Sequence, residues 1–292
     1  MTKTATTPDG RTLAFCEWGD PSGTPVFSLH GTPGSRLGRH PDEDIYRRAN
    51  VRLITYDRPG YGESSRHPGR IVADVAPDVV TIADALELTS FAVMGGSGGG
   101  PHSLACGALL PDRVTRCVCI VGVAPMGPGG LSREEWLEGM VEGNVHETGW
   151  ALAGEETLRR ELQDARQEIL ASLESDSTNP LGEDYALSSE DLAVLSHGGH
   201  REMMAKSTRE AIGRSLDGWV DDDLVITKPW GFDPSQIRVP VTVAYGPDDT
   251  LVPASHGKWL SRIVPDARVD VLPGGHFAAY EVLPEMLAWL TE

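Results

Sequence analysis

Through the first 125 residues, short apolar runs alternate with stretches whose apolar positions recur at helical spacing. Residues 11–18, 25–29, 51–56, 91–95 and 114–123 read as strands. Residues 42–50, 73–88 and 97–110 read as helices between them. Strands separated by helices imply βαβ units and a mostly parallel sheet. The runs Val51-Arg52-Leu53-Ile54 and Cys117-Val118-Cys119-Ile120-Val121 are apolar enough for central strands covered on both faces. After Ala124 the pattern changes. Pro125, Pro128 and Gly129-Gly130 break the chain, and Ser132-Arg133-Glu134-Glu135 has the form of a helix capping box. Helix formers then dominate to about Asp217, with further helix starts near Gly154, Ser188 and Gly199. From 240 the α/β alternation resumes: strands over 240–245 and 267–272, helices over 253–264 and 277–290. The expected organisation is a core formed by residues 1–124 and 235–292, with residues 125–234 inserted as a helical cap, and a few disordered residues at the N-terminus.

Composition narrows the possible partners. The 292 residues carry a net charge of −18, so their overall field repels nucleic acid and anionic membranes. The charge is uneven: residues 131–223 hold 22 acidic and 8 basic side chains, read here as a solvated outer face of the cap. Cys16, Cys106, Cys117 and Cys119 lack the CxxC spacing of a zinc or redox site and read as small buried hydrophobes. No apolar stretch reaches the roughly 18 residues needed to span a bilayer, and Met1-Thr2-Lys3-Thr4-Ala5 is polar. The expectation is a soluble, cytoplasmic protein that needs no metal or cofactor.

The sharpest chemical signal is Gly95-Gly96-Ser97-Gly98-Gly99, a G-x-S-x-G between a strand and a helix. That context suits a nucleophile elbow, in which a tight turn exposes the Ser97 hydroxyl. A purely structural glycine turn and a phosphate-binding loop are the alternatives. The absence of the G-K-[ST] ending argues against the second.

Two further motifs precede it: His30-Gly31-Thr32-Pro33-Gly34-Ser35 after the second strand, and Tyr56-Asp57-Arg58-Pro59-Gly60-Tyr61-Gly62-Glu63-Ser64 after the third. Together the three, in this order, resemble the α/β-hydrolase superfamily of serine hydrolases. The resemblance implies an α/β-hydrolase fold, with a mostly parallel central sheet, helices on both faces and an inserted helical lid. It places Ser97 as nucleophile, and Thr32 and Gly98 as main-chain donors of an oxyanion hole. The family order of serine, acid, histidine puts the acid in Tyr245-Gly246-Pro247-Asp248-Asp249-Thr250-Leu251-Val252-Pro253, similar to the family's G-x-x-D-x-x-V-P, hence at Asp249. Asp248 is then expected to cap the turn. The base falls in Leu272-Pro273-Gly274-Gly275-His276-Phe277, hence at His276.

The other histidines have plainer readings. His30 holds its loop and His102 packs in its helix. His40, His67, His146 and His256 lie in polar surroundings and are expected at the surface. His197 and His200 have no third metal ligand near them.

The resemblance implies acyl transfer through an acyl-enzyme, on a small-to-medium hydrophobic carboxylic ester, lactone or thioester. Met126 and Trp230, near the ends of the insertion, are the cap residues expected to line the substrate pocket. Proline iminopeptidases share the layout, but their His-Gly-Gly-Pro-Gly and Asp-Gln-Arg-Gly appear here with Thr32 and with Asp57-Arg58-Pro59. A perhydrolase or cofactor-free haloperoxidase, and a non-catalytic small-molecule receptor on the same fold, are the other readings.

Overall fold

The computed structural model describes residues 1–175, 179–182 and 184–292. Its centre is an eight-stranded sheet built from β1 (Lys3–Thr6), β2 (Thr12–Gly19), β3 (Thr24–Leu29), β4 (Val51–Tyr56), β5 (Phe91–Gly96), β6 (Val114–Ile120), β7 (Val241–Tyr245) and β8 (Arg268–Val271). The order is β1-β2-β4-β3-β5-β6-β7-β8. β1 and β2 run antiparallel to their neighbours, and every pairing from β4 to β8 is parallel.

The core helices are α1 (Asp44–Arg48), α2 (Val75–Ala85) and α3 (Gly100–Leu109) before the insertion. The insertion supplies α4 (Arg133–Leu137), α5 (Glu142–Ala153), α6 (Glu155–Glu174), α7 (Ser189–Ser196), α8 (His200–Ile212) and α9 (Asp217–Ile226). α10 (Ala254–Ile263) and α11 (Leu283–Leu290) follow it. Among the described residues no helix is long and apolar enough to cross a membrane.

Alternation along the strands sorts their side chains between two cores. Phe27, Leu29, Ile54, Val93, Cys117 and Val243 face one cluster with α2, α3 and α10. Val26, Leu53, Ala92, Met94, Val118 and Ala244 face the other, with α1 and α11. A third cluster, around Leu158, Leu162, Ile212 and Trp219, packs the inserted helices on one another and on Tyr61 of the core.

Several boundaries differ from the sequence expectation, each for a physical reason. The N-terminal residues are ordered: Lys3–Thr6 pair with β2, and Ala5 is buried opposite Leu13. β6 stops at Ile120 because Val121 takes φ +45°, left-handed backbone that a β-branched residue seldom adopts. The helix expected from 277 splits into a short 3₁₀ turn, Phe277–Tyr280, and α11.

His256 is not at the surface. It is fully buried, its Nδ1 accepts the Ala124 N–H at 3.0 Å and its Nε2–H donates to the Trp136 carbonyl at 2.9 Å. Burial pushes its pKa down to about 4. It therefore stays neutral and ties α10 to the first residues of the insertion. The Trp136 indole closes the same joint by donating to the Ala124 carbonyl at 2.8 Å.

Candidate active site

Adjacent parallel strands end at the same edge of the sheet, and register decides which loops meet there. Leu29 pairs with Gly95, Gly96 with Ile120, Ile120 with Ala244, and Tyr245 with Val271. The loops after β3, β5, β7 and β8 therefore converge. They carry Thr32, Ser97, Asp249 and His276.

Ser97 has φ +54°, the left-handed region that a non-glycine residue enters at a cost of about 1–3 kcal/mol. The turn is possible because its neighbours lack side chains. A Cβ on Gly99 would stand 2.1 Å from the Leu29 carbonyl oxygen, and one on Gly95 would stand 2.2 Å from that of Gly99. α3 starts immediately behind this turn.

His276 Nδ1–H donates to Asp249 Oδ2 at 2.8 Å, and both residues are buried. The other Asp249 oxygen accepts the N–H groups of Leu251 at 2.9 Å and Val252 at 2.8 Å, which fixes the carboxylate. Burial disfavours the imidazolium, but the Asp249 charge and hydrogen bond, with a smaller push from Asp191, outweigh it and raise the His276 pKa above its ordinary value. Asp248 is exposed, and its main-chain N–H, not its side chain, holds the turn by donating to the Gly274 carbonyl at 3.3 Å.

Ser97 and His276 line one cavity of about 310 Å³. No hydrogen bond joins their side chains among the described residues; such contacts commonly tighten only with substrate in place. A second cavity of about 70 Å³ adjoins, lined by Ser97, Thr32, Gly98 and residues of α4, α5 and α9. Thr32 and Gly98 are in close approach, since a Cβ on Gly98 would lie 3.3 Å from the Thr32 nitrogen and 2.3 Å from its Oγ1.

The residues of the insertion that reach the larger cavity include Met203, Met204, Trp219 and Tyr185. Met126 and Trp230 do not line either cavity, which corrects the expectation for both. Trp230 is buried in the core cluster, stacks on Phe232 with ring centroids 5.5 Å apart, and its carbonyl accepts the Ala73 N–H. Met126 packs against the same cluster and bridges to Leu131. Both side chains close the joint between insertion and core. His200 stacks on Tyr280, and His197 donates from Nδ1 to the Ala193 carbonyl at 2.6 Å.

The acidity of residues 131–223 is not all solvated. Asp222 of α9 is fully buried under the Thr32 loop. It accepts from Thr32 Oγ1 at 2.7 Å, Tyr61 Oη at 2.9 Å and Arg70 at 2.6 Å, and pairs with Arg58. Burial opposes its charge, but the two guanidiniums hold its pKa well below the usual carboxylate range. Arg58 also donates to the carbonyls of His30 and Gly31. His30 itself accepts the Arg58 N–H on Nε2 at 3.2 Å, so it does hold its loop. The Asp222 knot thus supports the main chain on which Thr32 sits. Asp222→Asn leaves two buried guanidiniums short of counter-charge and is expected to destabilise the fold by about 3–5 kcal/mol, read as a shift in urea midpoint.

Asp223, the next residue, lies beside Glu147 of α5. Burial, with repulsion from Glu147 and Asp222, pushes the Asp223 carboxyl well above the ordinary carboxylate range, and burial raises Glu147 as well. Glu147 accepts from Tyr185 Oη and from Trp219 Nε1 at 3.1 Å. None of these buried acids was marked by a local motif.

Comparison with known proteins agrees with this architecture. Residues 24–281 match the family described as the alpha/beta hydrolase fold. A non-heme chloroperoxidase of Streptomyces lividans is 27% identical over 98% of this chain and 99% of its own length. A proline iminopeptidase of Neisseria gonorrhoeae is 27% identical over 94% of this chain and 90% of its own. The crystal structure of a bromoperoxidase from Bacillus anthracis superposes with a TM-score of 0.71 at 21% identity, covering 99% of each chain. The converging loops, the strand order and the span of the match lead to one assignment: the chain belongs to the alpha/beta hydrolase family.

Proposed function

We propose that the protein is a serine hydrolase that cleaves a small-to-medium carboxylic ester, lactone or thioester through an acyl-enzyme on Ser97. The observation that carries this reading is a serine in left-handed backbone on the same cavity wall as a buried histidine held by Asp249 at 2.8 Å.

In this mechanism His276 Nε2 takes the hydroxyl proton as Ser97 Oγ attacks the carbonyl carbon. The negative charge that develops on the carbonyl oxygen is met by the main-chain N–H groups of Thr32 and Gly98, a contribution worth about 10²–10³ in rate per donor. His276 then protonates the leaving alcohol and activates water against the acyl-enzyme. Asp249 keeps Nδ1 protonated, leaving Nε2 free to act as base, and stabilises the imidazolium. The two unequal cavities meeting at Ser97 give room for a larger apolar group on one side of the scissile bond and a small group on the other. The four cysteines are buried and unpaired, which suits a reducing, cytoplasmic setting.

A panel of esters, lactones, thioesters and N-terminal prolyl amides with graded acyl and alcohol sizes tests the reading. Turnover is expected for esters with one bulky apolar side and one short side. Cleavage confined to prolyl amides would favour the iminopeptidase-like activity. Labelling by a fluorophosphonate without turnover of any substrate would favour a receptor. The full-length similarity to a chloroperoxidase supports a secondary perhydrolase activity, in which hydrogen peroxide replaces water as the acceptor of the acyl group and a peracid leaves. Adding peroxide and a halogenation indicator to the same panel reads it.

A further inference from the structure

Asp191 belongs to the inserted cap, 85 residues before His276 in sequence, yet it touches the loop that carries the base. It sits in the first turn of α7, whose N-cap is Ser188: the Ser188 hydroxyl oxygen accepts the Asp191 N–H at 3.0 Å. Asp191 is 1% exposed. One oxygen accepts the His276 N–H at 3.2 Å and the other accepts the Phe277 N–H at 2.7 Å. The loop is shaped to admit it, for a Cβ on Gly275 would fall 2.3 Å from Asp191 Oδ2.

We propose that Asp191 is a positioning residue for the reaction: the cap uses its carboxylate to fix the main chain of the catalytic base and to couple seating of the cap to competence of the site. This rests on the serine hydrolase reading for its kinetic consequence, but not for its geometry. Asp249 sets the imidazole's rotation through Nδ1. It does not set where the Cα of His276 stands, because Gly274 and Gly275 leave the approach to it without side-chain anchors. Two N–H groups in succession, grasped by one buried carboxylate, supply that anchor. Small displacements at a base are expensive, about 10²-fold in rate for 1 Å. The charged groups facing the ring are Asp249 from the β7 loop and Asp191 from α7, both of which favour the imidazolium. Removing Asp191's charge therefore makes the imidazole easier to deprotonate as well as looser.

The test compares Asp191→Asn, Asp191→Ala and Ser188→Ala with the wild type. Ser188→Ala weakens the N-terminus of the same helix and leaves the carboxylate in place. Three quantities are measured: melting temperature, kcat and KM on the best ester, and the His276 pKa followed by NMR of the imidazole. For Asp191→Ala kcat is expected to fall about 10²-fold with little change in KM. For Asp191→Asn the His276 pKa is expected to fall. Ser188→Ala should lower the melting temperature and cost kcat much less than Asp191→Ala does, with the imidazole pKa at its wild-type value because the carboxylate remains. If the Asp191 variants lose only melting temperature, with kcat and the His276 pKa unmoved, the carboxylate is a structural tie and the proposal is overturned. The NMR readout needs no turnover, so a wild type that hydrolyses nothing would sink the hydrolase reading while still reporting on the Asp191 contact.

Discussion

Ser97→Ala is expected to lower kcat by about 10⁴–10⁶-fold and to abolish labelling by a fluorophosphonate, with the fold intact. The magnitude follows from what the substitution removes. The attacking oxygen disappears, and what remains is the binding of substrate and the donors of Thr32 and Gly98, which alone retain only a small part of the acceleration over water. The fold should survive because the Ser97 side chain makes no hydrogen bond among the described residues and is only half-buried. Alanine in left-handed backbone is strained to about the same extent as serine there. Circular dichroism and a melting curve check the fold; burst titration and steady-state kinetics check the chemistry. Retention of more than a tenth of the activity would remove Ser97 from the mechanism.

The second large effect separates two neighbouring carboxylates. Asp249→Asn is expected to cost about 10⁴-fold in kcat, whereas Asp248→Asn should leave kcat within about twofold. Asn at 249 can present an amide N–H to Nδ1. The ring is then driven to the tautomer that places its proton on Nε2, where the base must accept one. Asp248 projects into solvent, and its main-chain bond to Gly274 survives the change. The pH profile gives an independent check. The base works only when neutral, so kcat/KM falls as pH drops through the His276 pKa. That pKa is raised by Asp249 against the opposing effect of burial, so the limb of the wild type stands above the ordinary histidine value of 6.5. In Asp249→Asn the residual activity should show this limb moved to lower pH. The same limb in both enzymes would mean that Asp249 does not set the ionisation of the base.

The elements that could be read from sequence are those whose information is local. A strand followed by a glycine turn and a helix is written within 20 residues, and Ser97, Asp249 and His276 each follow the end of a strand. What brings them into one place is register, since Gly96 pairs with Ile120 and Tyr245 with Val271, and no short motif encodes it. The buried polar network was invisible for the same reason. Asp221, Asp222 and Asp223 look like a solvated helical face until Arg66, Arg58 with Arg70, and Glu147 are placed opposite them from 76 to more than 150 residues away. Asp191 likewise reads as an ordinary acidic residue in a helix's first turn. Trp230 misled in the other direction. A large aromatic at the end of an insertion can fill a pocket or seal a joint, and periodicity alone does not distinguish them.

The Asp222 knot has a consequence for how the protein could be cut down. Arg58 and Arg70 are stranded cations without α9, so excising the whole stretch between β6 and β7 is expected to destabilise the sheet and its flanking helices. Any trimmed version has to keep α9 as part of the foundation and α7 for its hold on the His276 loop, and remove material only from α6 and α8, which roof the larger chamber.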